Sequence, residues 1–250
     1  MKLGAQLYTV RDQMKTPEEI KTGLEKIAKM GYTCVQHSGI GKIDPKEFKA
    51  ICDNLGLEVA VTHIPTDSFI GNTDKVIADH DSLGCNYIGI GSLPKQYRTA
   101  SGVEEFYENY ITAINKIKAA GKTFTLHNHH YEFEKCNGEL LIDTISKTFS
   151  PDELMFTLDC YWVNYGGADV CDTIDKLAGR IDCVHLKDYT IKGSDIIMAP
   201  VMEGNMNYPK IIEHLKAAGV KYALVEQDYC YDKDPFECLE ISYNNLKKYF

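Results

Sequence analysis

Asp159, His185 and Glu226 each stand where an apolar run gives way to polar residues: the segments LMFTLD, IDCVHLK and YALVEQ all deliver a carboxylate or an imidazole to the end of a hydrophobic stretch. A fourth segment, TFTLHNHHYEF, does the same with His127, His129 and His130, three imidazoles in four positions, followed by Glu132. A buried acid without a counter-charge is costly, so acids that end apolar runs call for a cation. Mixed carboxylate and imidazole donors suit a divalent ion such as Mn²⁺, Zn²⁺ or Co²⁺. Taken singly, each has a plainer role: Asp159 as a helix cap, His185 as a hydrogen-bonded core imidazole, Glu226 as a solvated loop acid. Their shared placement is what points to one cation site. In the fourth segment the donor stays open between His127, His129 and Glu132. Strand alternation turns His129 to the same side as His127, whereas Glu132 has to be brought back by the following loop.

Such residues meet only if their segments are neighbouring strands. Eight strand candidates run through the chain, at 2–9, 32–38, 58–64, 87–92, 123–128, 154–159, 181–187 and 222–227. Between them apolar residues recur at helical spacing, as in Ile20, Leu24, Ile27 and Ala28, or Phe106, Ile111, Ile114 and Ile117. Five of the helix-to-strand junctions carry glycine in similar surroundings (KMGY, NLGL, SLGC, KAAGK and KAAGV), the punctuation of a helix that ends in the left-handed conformation. Eight βα units in 250 residues predict an α/β fold, a (β/α)8 TIM barrel forming a single domain over residues 1–250. Polar residues at the strands' carboxyl ends then gather at one mouth. An open doubly wound sheet is disfavoured by the lack of GxGxxG after the first strand, and no nucleotide cofactor is expected. The longest irregular stretches, near 65–72, 160–170 and 188–207, all follow strands.

A net charge of −9 disfavours a surface built to hold phosphate backbones. The nine cysteines are spread singly without a CxxC pair, which fits buried thiols in a reducing, cytoplasmic setting and no cysteine-based zinc site. No apolar run is long enough to span a membrane. The expected partner is a small sugar or polyol, with neither nucleic acid nor membrane, and a homo-oligomer is compatible with the sequence.

The segments GAQLYTVRD (4–12), HNHHYEF (127–133), LDCYW (158–162), HLKD (185–188), EGNMNY (203–208) and VEQD (225–228) together resemble the xylose isomerase-like TIM barrels, in particular the sugar phosphate isomerases/epimerases. The resemblance spans essentially the whole chain. It implies one divalent metal ion (Mn²⁺, Zn²⁺, Co²⁺ or Mg²⁺) held by Glu, Asp, His and Glu, which makes Asp159, His185 and Glu226 ligands. At the first acid the chain departs from the family pattern, with His127 at the equivalent place. Glu132 is favoured as the fourth ligand because it retains three carboxylates and one histidine. The resemblance also implies two opposed glutamates exchanging protons with a substrate carbon, a scheme that requires Glu132 to reach the site.

The chemistry expected of such a site is proton abstraction beside a carbonyl polarised by the ion, leading to isomerisation or epimerisation of a sugar, sugar acid or polyol derivative. Glu132, Glu226 and His129 are the candidate proton carriers, and Lys187, two residues after His185, faces the same side and can bind developing negative charge. Tyr8, His63, His127 and Trp162 are candidate substrate contacts, Tyr8 sharing a strand face with Gln6, and Glu203 is a candidate for orienting a histidine. A metal-dependent lyase or dehydratase acting on a keto-sugar or modified glycoside is the alternative from the same ligands. A non-catalytic barrel subunit of an oxidoreductase assembly is the alternative of another class. A DNA-repair endonuclease is disfavoured by the acidic balance.

Overall fold

A computed structural model covers residues 1–250. The eight apolar runs form parallel strands: β1 (Lys2–Gln6), β2 (Cys34–His37), β3 (Glu58–His63), β4 (Tyr87–Ile90), β5 (Thr123–His127), β6 (Met155–Asp159), β7 (Ile181–Leu186) and β8 (Tyr222–Val225). Each pairs with its sequence neighbours, and β8 returns to β1 with Ala5 opposite Val225, closing the barrel. The register shifts at Val35/Gln36 and at Phe156/Thr157, irregularities of the kind that re-aim side chains near functional sites.

The helices that clothe the barrel are α1 (Pro17–Met30), α2 (Pro45–Asn54), α3 (Thr66–Gly71), α4 (Thr73–Leu83), α5 (Ala100–Ala119), α6 (Leu141–Thr148), α7 (Cys160–Tyr165), α8 (Val170–Lys176), α9 (Tyr208–Ala217) and α10 (Pro235–Leu246). The first shows how sequence sets their limits. Thr16 and Glu19 form a reciprocal capping box with Pro17 in the first turn, and Ile20, Leu24 and Ile27 bury one face. Gly31 ends the helix at φ 112°, where a Cβ would also collide with the Tyr243 hydroxyl. The other four junction glycines share a positive φ.

Most of the core lies between strands and helices. A smaller cluster of Cys34, Ala60, Val61, Cys183 and Leu224 forms a separate core, with Tyr87 and Tyr222 packed against it. At the amino ends of the strands the Tyr87 hydroxyl donates to Asp182 (2.7 Å), which Lys221 also holds (2.9 Å), while Glu58 takes both Lys2 and Tyr222. The barrel is thereby plugged at one end and open at the other. All nine cysteines are free, and all but Cys136 and Cys230 are buried. No helix is long and apolar enough to cross a membrane.

Four regions differ from their sequence expectation, the first being the stretch expected to be irregular at 65–72, most of which is the short helix α3. β1 stops at Gln6 and residues Leu7–Gln13 wind into a 3₁₀ turn, because the Gln6 side chain accepts from Tyr8 N (2.9 Å) and caps it. Part of the stretch expected to be irregular at 160–170 is helical, started by Asp159 as cap. Residues Asp188–Lys192 and Asp195–Ala199 form an antiparallel hairpin within the stretch expected to be irregular at 188–207.

Candidate active site at the barrel mouth

The ends of β5, β6, β7 and β8 bring His127, Asp159, His185 and Glu226 together, all buried, with one donor atom from each lying within 4.8 Å of the others. His127 Nε2 is 3.3 Å from Asp159 Oδ2, and His185 Nδ1 is 3.0 Å from Glu226 Oε2 and 3.7 Å from Asp159 Oδ2. Backbone and side-chain partners orient both rings. His127 Nδ1 donates to the Gly91 carbonyl (3.0 Å), which aims Nε2 at the cluster. His185 Nε2 donates to Gln36 Oε1 (2.6 Å), which aims Nδ1 there. His185 Nδ1 and Glu226 Oε2 are buried without completing an aligned hydrogen bond, although they are close. Two imidazoles and two carboxylates converging on one point, with orphaned atoms facing it, fit a divalent cation.

Lys187 supplies fixed positive charge beside them. Its Nζ lies 3.0 Å from Asp159 Oδ2, 2.9 Å from Glu226 Oε2 and 3.1 Å from Asp228 Oδ2. Burial opposes its charge, but the three carboxylates outweigh that and raise it well above the ordinary lysine value. Burial likewise tends to raise Asp159, yet Lys187 with His127 and His185 holds that carboxyl well below its usual range. Asp228 is pushed up to about 6 by burial and by Glu226. Desolvation lowers His63 and His127, and lowers His129 to about 3, so these rings stay neutral.

Glu132, favoured from sequence as the fourth ligand and as a proton carrier, does not join the group. After His127 the chain turns into a 3₁₀ segment, His130–Phe133, and Glu132 folds back to accept from His129 N (2.7 Å), capping that turn. It is fully buried with its other oxygen unpartnered, and desolvation raises its carboxyl to about 8. His127 stands in the group instead.

The remaining sequence candidates line one cavity over this cluster: Tyr8, His63, His129, Trp162 and Lys187 all face it. Tyr8 does so from the 3₁₀ turn rather than from a strand, with Arg11 stacked 4.0 Å above its ring. His129 stacks on Tyr131, and Trp162, on α7, packs against His129 with Lys187 Nζ 5.4 Å from the indole centre. Glu203 orients no histidine; it accepts from Asn245 on α10. Asp159 is both a cluster member and the cap of α7, accepting from Trp162 N at 3.1 Å.

Gln36 and Asp228 touch His185 and Lys187 in this cluster, and sequence reasoning did not single them out. Gln36 sits mid-strand in an ordinary apolar run, whereas Asp228 closes the VEQD segment, where its spacing from Glu226 was a usable signal. Asp188 explains another motif. Buried directly after Lys187, it accepts from the backbone N–H groups of Tyr189 (2.8 Å), Met202 (3.0 Å) and Met206 (3.2 Å), so HLKD clamps the EGNMNY loop.

Comparison with known proteins agrees with this fold. A sugar phosphate isomerase/epimerase from Parabacteroides distasonis is similar at 26% identity over 98% of this chain and 93% of its own, with a TM-score of 0.83. A probable 3-DHS dehydratase, AsbF, from Bacillus anthracis shares the fold at 14% identity over 99% of both chains, with a TM-score of 0.78. An L-ribulose 3-epimerase does so at 17% identity over 99% of this chain and 94% of its own, with a TM-score of 0.74. No curated protein matches the sequence. The family model described as xylose isomerase-like TIM barrel matches residues 24–237, and the chain belongs to that family.

Proposed function

We propose that the protein is a divalent-metal-dependent isomerase or epimerase of a sugar, sugar acid or polyol derivative, working by proton abstraction next to a carbonyl. The buried group His127, Asp159, His185 and Glu226 carries the reading. These four would hold the ion, which as a Lewis acid polarises a carbonyl oxygen. Lys187, at the cavity wall with three carboxylates around it, sets a positive charge beside the place a substrate oxygen would occupy. His63 Nε2 and the Trp162 indole N–H are buried without partners and can meet sugar hydroxyls, and the indole gives a face for a sugar ring.

The proton carriers on this reading are Glu226 and, across the cavity, His129. The paired-glutamate scheme is not available, because Glu132 is spent on the His129 backbone. That same observation favours a second reading, a lyase or dehydratase. One carboxylate base with no opposed second glutamate suits proton removal followed by loss of a leaving group better than inversion by two opposed acids.

Incubating Mn²⁺-loaded protein with candidate ketoses in D₂O separates the two. Deuterium in recovered sugar supports the isomerase, and an unsaturated product supports the lyase. Asp159→Asn and His185→Ala are expected to lower bound metal at least tenfold by elemental analysis while circular dichroism stays barrel-like. A purified protein that takes up neither Mn²⁺ nor Zn²⁺ overturns both readings.

A further inference from the structure

The cavity above the cluster measures about 1390 Å³, beyond the ~300–1,000 Å³ usual for pockets that enclose a drug-sized ligand. One end is walled by His127, Trp162, Lys187 and Glu226. The other runs past the loops that follow β2 and β3 to Ile43, Ser68 and Val76, the last on α4. One hexose over the cluster leaves that second, partly apolar end empty.

Charge narrows the ligand further. Four lysine and arginine side chains line the space, Arg11, Lys42, Lys75 and Lys187, and three of them are already engaged. Arg11 donates to the carbonyls of Tyr8 (2.8 Å) and Asp228 (3.2 Å), Lys75 pairs with Asp79 (2.6 Å), and Lys187 is shared by three carboxylates. Lys42 is exposed and unpaired, and Arg11, which has no acidic partner either, is held by those two carbonyls and the Tyr8 ring. Phosphate recognition ordinarily draws on a free guanidinium fork or the open N-terminus of a helix. The N-terminus of α2 beside the cavity is filled by Asp44, which accepts from Lys46 N (2.9 Å) and Glu47 N (3.3 Å), and the first turn of α3 carries Asp67. A phosphate dianion would enter a space already lined by Asp79, Glu226 and Asp228, with no arginine released to meet it.

We propose that the substrate is a neutral, unphosphorylated glycoside larger than a monosaccharide, its reacting sugar over the His127–Asp159–His185–Glu226 cluster and its second moiety against Ile43, Ser68 and Val76. This rests on the sugar-directed reading of the same site and narrows it. The test uses matched sets of glucose, galactose and mannose, each as the free hexose, the 6-phosphate and the phenyl glycoside. Binding is followed by calorimetry and thermal shift with and without Mn²⁺, so that phosphate attached only to the ion is recognised. At least one phenyl glycoside is expected to bind tenfold or more tighter than its free hexose, and no 6-phosphate more than about threefold tighter than its parent. Ser68→Trp should cut glycoside affinity at least tenfold and leave hexose affinity within about threefold.

A 6-phosphate that binds tenfold tighter than its parent overturns the proposal. So does a set in which no glycoside exceeds its hexose. Failure of the broader isomerase reading shows elsewhere, as glycoside binding without deuterium exchange or elimination.

Discussion

Gln36 matters through a single hydrogen bond. Its Oε1 takes the Nε2 proton of His185, which leaves Nδ1 to face Asp159 and Glu226. Gln36→Leu removes that acceptor while keeping the strand apolar, and metal affinity measured by competitive chelation is expected to fall about 10- to 100-fold. Glu132 gives a stability test of a different kind. Its ordinary value is 4.5 and burial raises it to about 8, so its contribution is fully present below about pH 4.5 and is lost as pH rises through 8. Urea unfolding should show the wild type losing roughly 2–4 kcal/mol more than Glu132→Gln between pH 5 and pH 8.5. Neither residue was legible for what it does. A glutamine inside an apolar strand carries no chemical signature, and a glutamate near three histidines reads as a ligand until the chain direction after His127 is known. Asp159, His185 and Glu226 were legible because strand ends are fixed by where apolar residues stop.

At the scale of elements, the eight strands appear where hydrophobic runs predict them, and the misreadings fall at their ends. The β1 run continues apolar through Val10, so periodicity alone extends the strand; the Gln6 side chain halts it by capping the next turn. The hairpin after β7 was hidden because most of its two arms is exposed or half-buried, so no buried apolar run marks them. Helix ends are firmer, since glycine at a left-handed position is a local requirement. Gly31→Ala places a methyl group at φ 112° and against Tyr243, and should lower stability by about 1–3 kcal/mol, read as an earlier urea midpoint with unchanged slope.

For the whole molecule, the barrel concentrates buried charge at one end. Asp159, Glu226 and Asp228 are offset by one lysine and by His185, which Glu226 and Asp159 raise to about 9 against burial. An ion that binds only the closed barrel adds stability by mass action. Mn²⁺ at a hundred times its dissociation constant is expected to add about 2.7 kcal/mol to unfolding, reversed by EDTA. The architecture was readable from the count of βα units and their glycine punctuation. The cavity's size and its paired charges were not, because they depend on which loops lean together across the mouth.

The plug of Tyr87, Asp182, Lys221, Glu58 and Tyr222 at the strands' amino ends leaves the cavity over the cluster with a single doorway. On the proposed function, whatever is made over the cluster must back out along the path by which its precursor arrived, so spent ligand and fresh ligand would take turns, and turnover is expected to slow as the first accumulates.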